Sequence, residues 1–294
     1  MKQKVKACIK RFVKLFLSER TYLNLTRWMR LHVRGSMKPH TQLAINVHVA
    51  EHCNLSCATC SVYSPLVAEK KFLSPDNFER DMARLRQLTE KVSAVTLVGG
   101  EPLLHPTPDV FFGIIRKYFP GSTAVCMVTN GILLHRQPES FWKSCHRHRA
   151  YLTISRYPIK IKTAEIRAAA QKYGVRVDYP PRDDFFKIPL DVRGEQNVAY
   201  SFKKCLLANY CIELLDGKLY PCCVPGHIGE FNRHFNQNLE VREEDCVDIH
   251  KVKDIAEVFE RLSRPIPFCR YCNLKAFKKN IGWALSKKKM EEWT

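Results

Sequence analysis

Three cysteines within eight positions, Cys53, Cys57 and Cys60 in the run His52-Cys-Asn-Leu-Ser-Cys-Ala-Thr-Cys60, set the strongest constraint on the fold. A segment with three thiolate donors in Cys-x3-Cys-x2-Cys spacing has to curl as a loop around what it binds. No fourth cysteine follows nearby. A cubane of four irons held by three thiolates leaves one iron open, which suits a small molecule bound and activated there. The competing reading is structural zinc, whose closed sites take four protein ligands in tetrahedral geometry. His52 is the nearest fourth donor, but a ligand adjacent to Cys53 is sterically awkward.

After Lys91 comes Val-Ser-Ala-Val-Thr-Leu-Val, a β-branched run without a breaker, ending in Gly99-Gly100-Glu101-Pro102. It reads as a buried parallel strand followed by a tight loop. Paired glycines let a ligand lie against backbone groups, and Glu101 can accept from an ammonium. An ordinary strand-to-helix turn is the plainer reading of this run alone. The cysteine triplet followed by Gly-Gly-Glu resembles the radical S-adenosylmethionine superfamily, over Cys53 to about Pro158. The resemblance implies that Cys53, Cys57 and Cys60 hold a [4Fe–4S] cluster whose open iron chelates the amino and carboxylate groups of S-adenosylmethionine. One electron then cleaves the sulfonium, and the resulting radical abstracts a hydrogen atom from substrate. Gly99, Gly100, Glu101 and Pro102 would line the cofactor. One departure is Thr59, where the family has an aromatic before the third cysteine; Tyr63 is a possible substitute for packing the adenine.

The chain has 294 residues, 45% of them hydrophobic, enough for one barrel-sized core plus a small module. Strand signals at 42–49, 92–98, 124–128, 151–154 and 175–179 alternate with helix signals at 74–88, 109–118 and 164–173. Within the first helix, Phe78, Met82, Leu85 and Leu88 form an apolar stripe behind Ser74-Pro75. This repetition implies parallel strands with binding loops at their C-terminal ends. The expected fold is α/β: a partial (β/α)6 TIM-like barrel over residues 41–200, with a small C-terminal cysteine-rich hairpin and helix module at 201–275. Segments 1–40 and 276–294 are read as basic extensions. Asn130, Ser155 and Arg156 at strand ends would face the cysteine loop, and the resemblance implies that they contact ribose and carboxylate of the cofactor. Asn130-Gly131 alone reads equally well as a turn. The planar fork of Arg156 suits a carboxylate.

A second cysteine group runs through Cys205, Cys211, Cys222 and Cys223 to Cys269-Arg-Tyr-Cys272. Asp216-Gly217 marks a two-residue hairpin turn that brings Cys205 and Cys222 toward one end. An amphipathic helix at 254–262 stops at Pro265-Ile-Pro267, just before Cys269. The pattern resembles the Twitch module, the shorter relative of the SPASM extension, which implies an auxiliary [4Fe–4S] cluster on Cys205, Cys222, Cys269 and Cys272. Zinc would also suit four cysteines, and Cys211 or Cys223 could replace one of them. Cys8, Cys126, Cys145 and Cys246 read as ordinary thiols. A fully liganded second cluster suits electron acceptance, so the resemblance implies net two-electron oxidation. An epimerase, with Cys211 or Cys223 returning a hydrogen, and a peptide-modifying maturase are the alternatives.

The net charge of +19 is unevenly spread: residues 1–40 hold eleven Lys or Arg against Glu19, and 275–294 hold six Lys against two Glu. That leaves +5 for residues 41–274, little sign of a nucleic-acid face. Val5, Ile9, Phe12, Val13 and Phe16 with interleaved lysines form a basic amphipathic helix that could lie on an anionic membrane through residues 1–34, or pack on the barrel or a partner. No run reaches the ~18 apolar residues of a membrane span and no signal-peptide pattern is present, so a reducing cytoplasmic location is expected. Cys60-Ser-x-x-Ser64-Pro65-Leu66 and Gly99-Gly-Glu-Pro-Leu-Leu-His105-Pro106 also resemble a group of radical enzymes from bacterial surface-polysaccharide loci. That implies a small-molecule or lipid-linked sugar-like substrate, with a one-electron reductant such as flavodoxin or ferredoxin as partner. A zinc-binding nucleic-acid or adaptor protein and a membrane-associated electron carrier are the readings from other classes.

Overall fold

A computed structural model describes residues 43–180, 185–205, 207–208 and 211–294. The amphipathic segment at the N-terminus lies outside the described residues. The chain runs β1 (Leu43–Ala50), α1 (Pro75–Leu88), β2 (Val92–Gly99), α2 (Val110–Tyr118), β3 (Ala124–Thr129), α3 (Glu139–Arg147), β4 (Ala150–Ile154), α4 (Thr163–Tyr173) and β5 (Val177–Asp178). It continues through β6 (Phe185–Lys187), α5 (Val198–Lys204), β7 (Glu213–Leu215), β8 (Lys218–Tyr220), α6 (Cys223–Phe235), β9 (Val247–Asp248), α7 (Ile255–Leu262) and β10 (Lys278–Ile281). Strands β1 to β5 pair in parallel, in sheet order β5-β4-β3-β2-β1, as strand-helix repetition requires.

Side-chain alternation along β1 separates two faces. Leu43, Ile45, Val47 and Val49 are buried with Phe78, Met82 and Leu85 of α1 and Phe111, Phe112 and Ile115 of α2, forming the core between sheet and helices. His48 therefore points to the opposite face, away from these helices. Ser74 sits at the N-cap of α1 as expected, but only its carbonyl takes part, accepting from Phe78 N at 3.0 Å; its side chain makes no cap bond. Gly174, at φ 64°, closes α4 in the left-handed region, where glycine carries no Cβ penalty.

The expected sixth barrel unit is built differently. The strand beside β1 is β7, from the hairpin, which pairs parallel to it through Asn46↔Glu213 and Val47↔Leu214. Asp216 (φ 47°) and Gly217 (φ 71°) form the turn to antiparallel β8. The C-terminal cysteine segment is thus continuous with the main sheet. The 276–294 segment is also no tail: β10 pairs antiparallel with β6. Helices α3, α5 and α6 lacked a sequence signal strong enough to separate them from loop. Buried Phe141, Trp142 and Cys145 on α3, and Val224, Ile228 and Phe231 on α6, carry the helical spacing in hindsight.

Asp81 of α1 fastens the hairpin. Its buried carboxylate accepts from Gly217 N at 3.0 Å and is 2.8 Å from His250 Nε2. Asp81→Ala leaves both groups without this acceptor, and should cost about 2–3 kcal/mol, read as a lower urea midpoint with an unchanged m-value.

Candidate active site

The cysteine loop leaves β1 at Ala50 and is held on both flanks. Gly100 N donates to Ala50 O at 2.8 Å, Glu101 N to His52 O at 3.1 Å, and Ser64 Oγ to Glu51 O at 2.9 Å. A Cβ at Gly99 would lie 2.3 Å from Ala50 O, and one at Gly100 would lie 2.3 Å from His52 O. The paired glycines are therefore required by the chain's own loop backbone, a closer occupant than the ligand expected there. Thr59, a β-branched residue, stands at φ 60°, a strained conformation held inside the loop. The sulfurs face N–H donors: Leu55 N lies 3.3 Å from Cys53 Sγ, and Trp283 Nε1 lies 3.1 Å from Cys57 Sγ. Burial raises the Cys53 thiol to about 12, so a metal has to displace protons on binding. Three cysteines on one loop with donors aimed at two of the sulfurs fit a cluster with one open iron.

Glu101 is fully buried and its carboxylate is largely committed. It accepts from Leu103 N (3.1 Å), Thr129 Oγ1 (2.6 Å) and Asn130 N (2.8 Å). Burial raises it to about 7 against these three bonds. Its structural work is to join the β2 exit to the β3 exit, which leaves one acceptor lone pair for a ligand. Pro102, also buried, opens the short 3-10 turn that follows. Asn130 is both a turn residue and a loop contact. Its Oδ1 accepts from Ile132 N, and its Nδ2 donates to Asn54 Oδ1 at 2.7 Å inside the cysteine loop. Ser155, at the end of β4, donates its N–H to Thr129 O at 2.8 Å. Arg156 is exposed and has no ion-pair partner among the described residues. Tyr63 is placed otherwise than expected: its ring is buried against Phe231 and Trp293 and belongs to the C-terminal core, which leaves it no free face for an adenine.

Cys205, Cys222, Cys269 and Cys272 line one cavity, with Phe202, Leu207 and Phe268 among its apolar walls. Burial pushes all four thiols up, Cys269 to about 12. An adjoining cavity reaches from Cys272 to Thr59 and Ser61 of the first loop. Cys211 and Cys223 do not line the four-cysteine cavity. Cys223 is hydrogen-bonded to Ser61 and lies near Cys211, Cys60 and Glu213, between the two groups. Cys126, Cys145 and Cys246 are buried thiols that line neither cavity.

Sequence reasoning missed a buried polar cluster on the sheet face away from the outer helices. Glu213 Oε1 is 2.8 Å from His48 Nε2 and 2.9 Å from His227 Nε2, and His227 Nδ1 is 2.9 Å from Glu51 Oε2. His48 on β1 and His227 on α6 are 179 positions apart, so no local pattern announces the group. His48, Glu51 and His227 could present ligand atoms within 4.8 Å of one another. The hydrogen-bonding pattern favours a proton-filled network, because both ring nitrogens of His227 already face carboxylates. Burial would lower His227, but Glu213 and Glu51 lift it to about 10; burial would raise Glu213, but His48 and His227 hold it at about 2. His48 Nδ1 and Glu213 Oε2 are buried without partners.

The pair dictates a pH profile. Glu213, depressed from 4.5, stabilises the fold above that value and loses this as pH falls toward about 2. His227, raised from 6.5, stabilises below that value and loses this as pH rises toward about 10. The urea-unfolding deficit of His227→Gln should therefore be largest between pH 4.5 and 6.5, at about 3 kcal/mol, and shrink on either side. A deficit independent of pH would contradict the pairing.

Residues 47–177 match the family model of the Radical SAM superfamily. A GTP 3',8-cyclase from Chlorobaculum tepidum is 34% identical over 97 residues, 33% of this chain; the match spans 28% of that relative's length. Among solved structures, the crystal structure of BtrN in complex with AdoMet and 2-DOIA superposes with a TM-score of 0.51 at 18% identity, covering 80% of this chain and 94% of that one, a likeness of fold. The triad, the Gly-Gly-Glu turn and the parallel sheet all lie within or beside this matched stretch, so residues 47–177 are similar to the Radical SAM superfamily, whose enzymes use a [4Fe–4S] cluster and S-adenosylmethionine.

Proposed function

We propose that this enzyme is an oxidoreductase that removes a hydrogen atom, a proton and an electron, two electrons and two protons in all, from a carbohydrate-like substrate, with a second [4Fe–4S] cluster on Cys205, Cys222, Cys269 and Cys272 as acceptor of the second electron. The observation that carries this reading is the grouping of these four cysteines in one apolar cavity apart from the triad, with an adjoining cavity leading toward Thr59 and Ser61. Bound at Cys53, Cys57 and Cys60, the cluster and S-adenosylmethionine would supply a hydrogen-abstracting radical, and the closed cluster an electron sink. The residues of the chain have the remaining tasks. Asn130 and Glu101 hold the loop in register with β2 and β3. The exposed Arg156 at the β4 exit suits a carboxylate of cofactor or substrate. Oxidation of a carbinol also releases a proton.

A second reading is epimerisation. It is favoured by Cys223 and Cys211, whose thiols burial keeps protonated; Cys223 lies near Cys60 and Ser61 of the first loop, and Cys211 lies beside Cys223. Replacing all four auxiliary cysteines by Ser separates the two. If the cluster is an electron acceptor, the variant still forms 5'-deoxyadenosine from S-adenosylmethionine, yet oxidised sugar from a polyol and aminocyclitol panel falls at least about 100-fold, since no electron sink remains. Undiminished product from the variant, or loss on Cys223→Ala with solvent deuterium otherwise incorporated, would favour the epimerase.

A further inference from the structure

The C-terminal segment makes an unexpected approach to the cysteine loop. Ala58 N donates to Ala284 O at 2.9 Å and Ser286 N to Ser56 O at 2.8 Å, so residues 284–286 lie antiparallel to 56–58 around the Cys57↔Leu285 bridge. Trp293 Nε1 adds a bond to Cys60 O at 2.9 Å. This pairing delivers Trp283, whose indole Nε1 lies 3.1 Å from Cys57 Sγ, across 226 positions of sequence. The indole is set from two sides. Strand β10 ends just before it and is paired to β6, while Tyr157, beyond the end of β4, meets it edge-on at 6.3 Å between ring centroids.

We propose that Trp283 is a positioning residue for the radical-generating cluster, its indole N–H donating to the Cys57 thiolate and thereby raising the reduction potential of the iron that triad holds. The proposal rests on the triad carrying the cluster. Reduction adds negative charge that is shared with the sulfurs, so an N–H dipole aimed at a sulfur stabilises the reduced form more than the oxidised one. Indole suits this role: it is a donor only, cannot compete as a ligand, and brings a large plane that is held by packing. Cys53 draws its nearest donor from Leu55 N two residues away. Cys57 depends on a distant segment, so the ordering of residues 283–286 and the ease of reducing the cluster are coupled.

The test is an anaerobic redox titration followed by electron paramagnetic resonance, with and without S-adenosylmethionine, on wild type, Trp283→Phe and Leu285→Ala. Trp283→Phe keeps a packed ring and removes only the donor. Its reduced-to-oxidised ratio at a fixed potential should fall about tenfold, the scale of a hydrogen bond to a charged group, with iron content unchanged. Leu285→Ala keeps the donor and should titrate as wild type. Equal midpoints for wild type and Trp283→Phe would overturn the proposal, whereas absence of any iron signal in wild type would instead overturn the assignment of the triad. Should Trp283→Phe not assemble, a Trp293→Phe protein carrying 15N-indole tryptophan decides: a nitrogen hyperfine coupling to the reduced cluster supports the bond, and its absence overturns it.

Discussion

Two backbones in near contact hold the site together. Where β2 ends, Gly99 and Gly100 lie so close to Ala50 and His52 that no side chain fits between them. That approach ties the start of the cysteine loop to the neighbouring strand, and Glu101, next in sequence, extends the tie to Thr129 and Asn130 at the end of β3. Asn130 then reaches back to Asn54 within the loop. The loop is thus referenced to three consecutive parallel strands. This rigidity is what a radical site needs, since small displacements of reacting atoms are costly in rate.

The second half of the chain does not form a separate lobe beside this frame. Strand β7 joins the sheet at β1, Asp81 anchors its hairpin from α1, and Arg84 bonds the carbonyls of Ile249 and Val252 at 2.9 and 2.7 Å. The four-cysteine cavity and the first loop are consequently parts of one packed body, sharing Tyr63, Phe231 and Trp293 in a common apolar cluster. A fixed relation between two cysteine groups suits electron transfer, and the adjoining cavity from Cys272 to Thr59 lies along that direction.

The strands and helices up to about residue 180 were legible because each carries a local signal: β-branched runs ended by glycine, the Phe78-Met82-Leu85-Leu88 stripe, Gly174 as a stop. Both cysteine groups were legible from ligand chemistry, and Asp216-Gly217 from the positive φ both residues adopt. What stayed hidden was non-local. Nothing near His48 announces Glu213 or His227, and nothing in a lysine-rich C-terminal stretch announces pairing with residues 56–58. Tyr63 misled because proximity in sequence to Thr59 was read as proximity to the cofactor, whereas its left-handed backbone, at φ 56°, accompanies a ring buried in the opposite core. Glu101 looked available because its partners come from β3, 28 and 29 positions away.

Mössbauer spectroscopy of 57Fe-reconstituted wild-type protein, recorded before and after adding S-adenosylmethionine, tests the central claim most directly. The account predicts about eight irons per chain in two [4Fe–4S] clusters, of which one iron alone changes coordination when the cofactor binds. About four irons per chain would contradict the auxiliary cluster, and eight irons with none responsive to S-adenosylmethionine would contradict the open site on Cys53, Cys57 and Cys60.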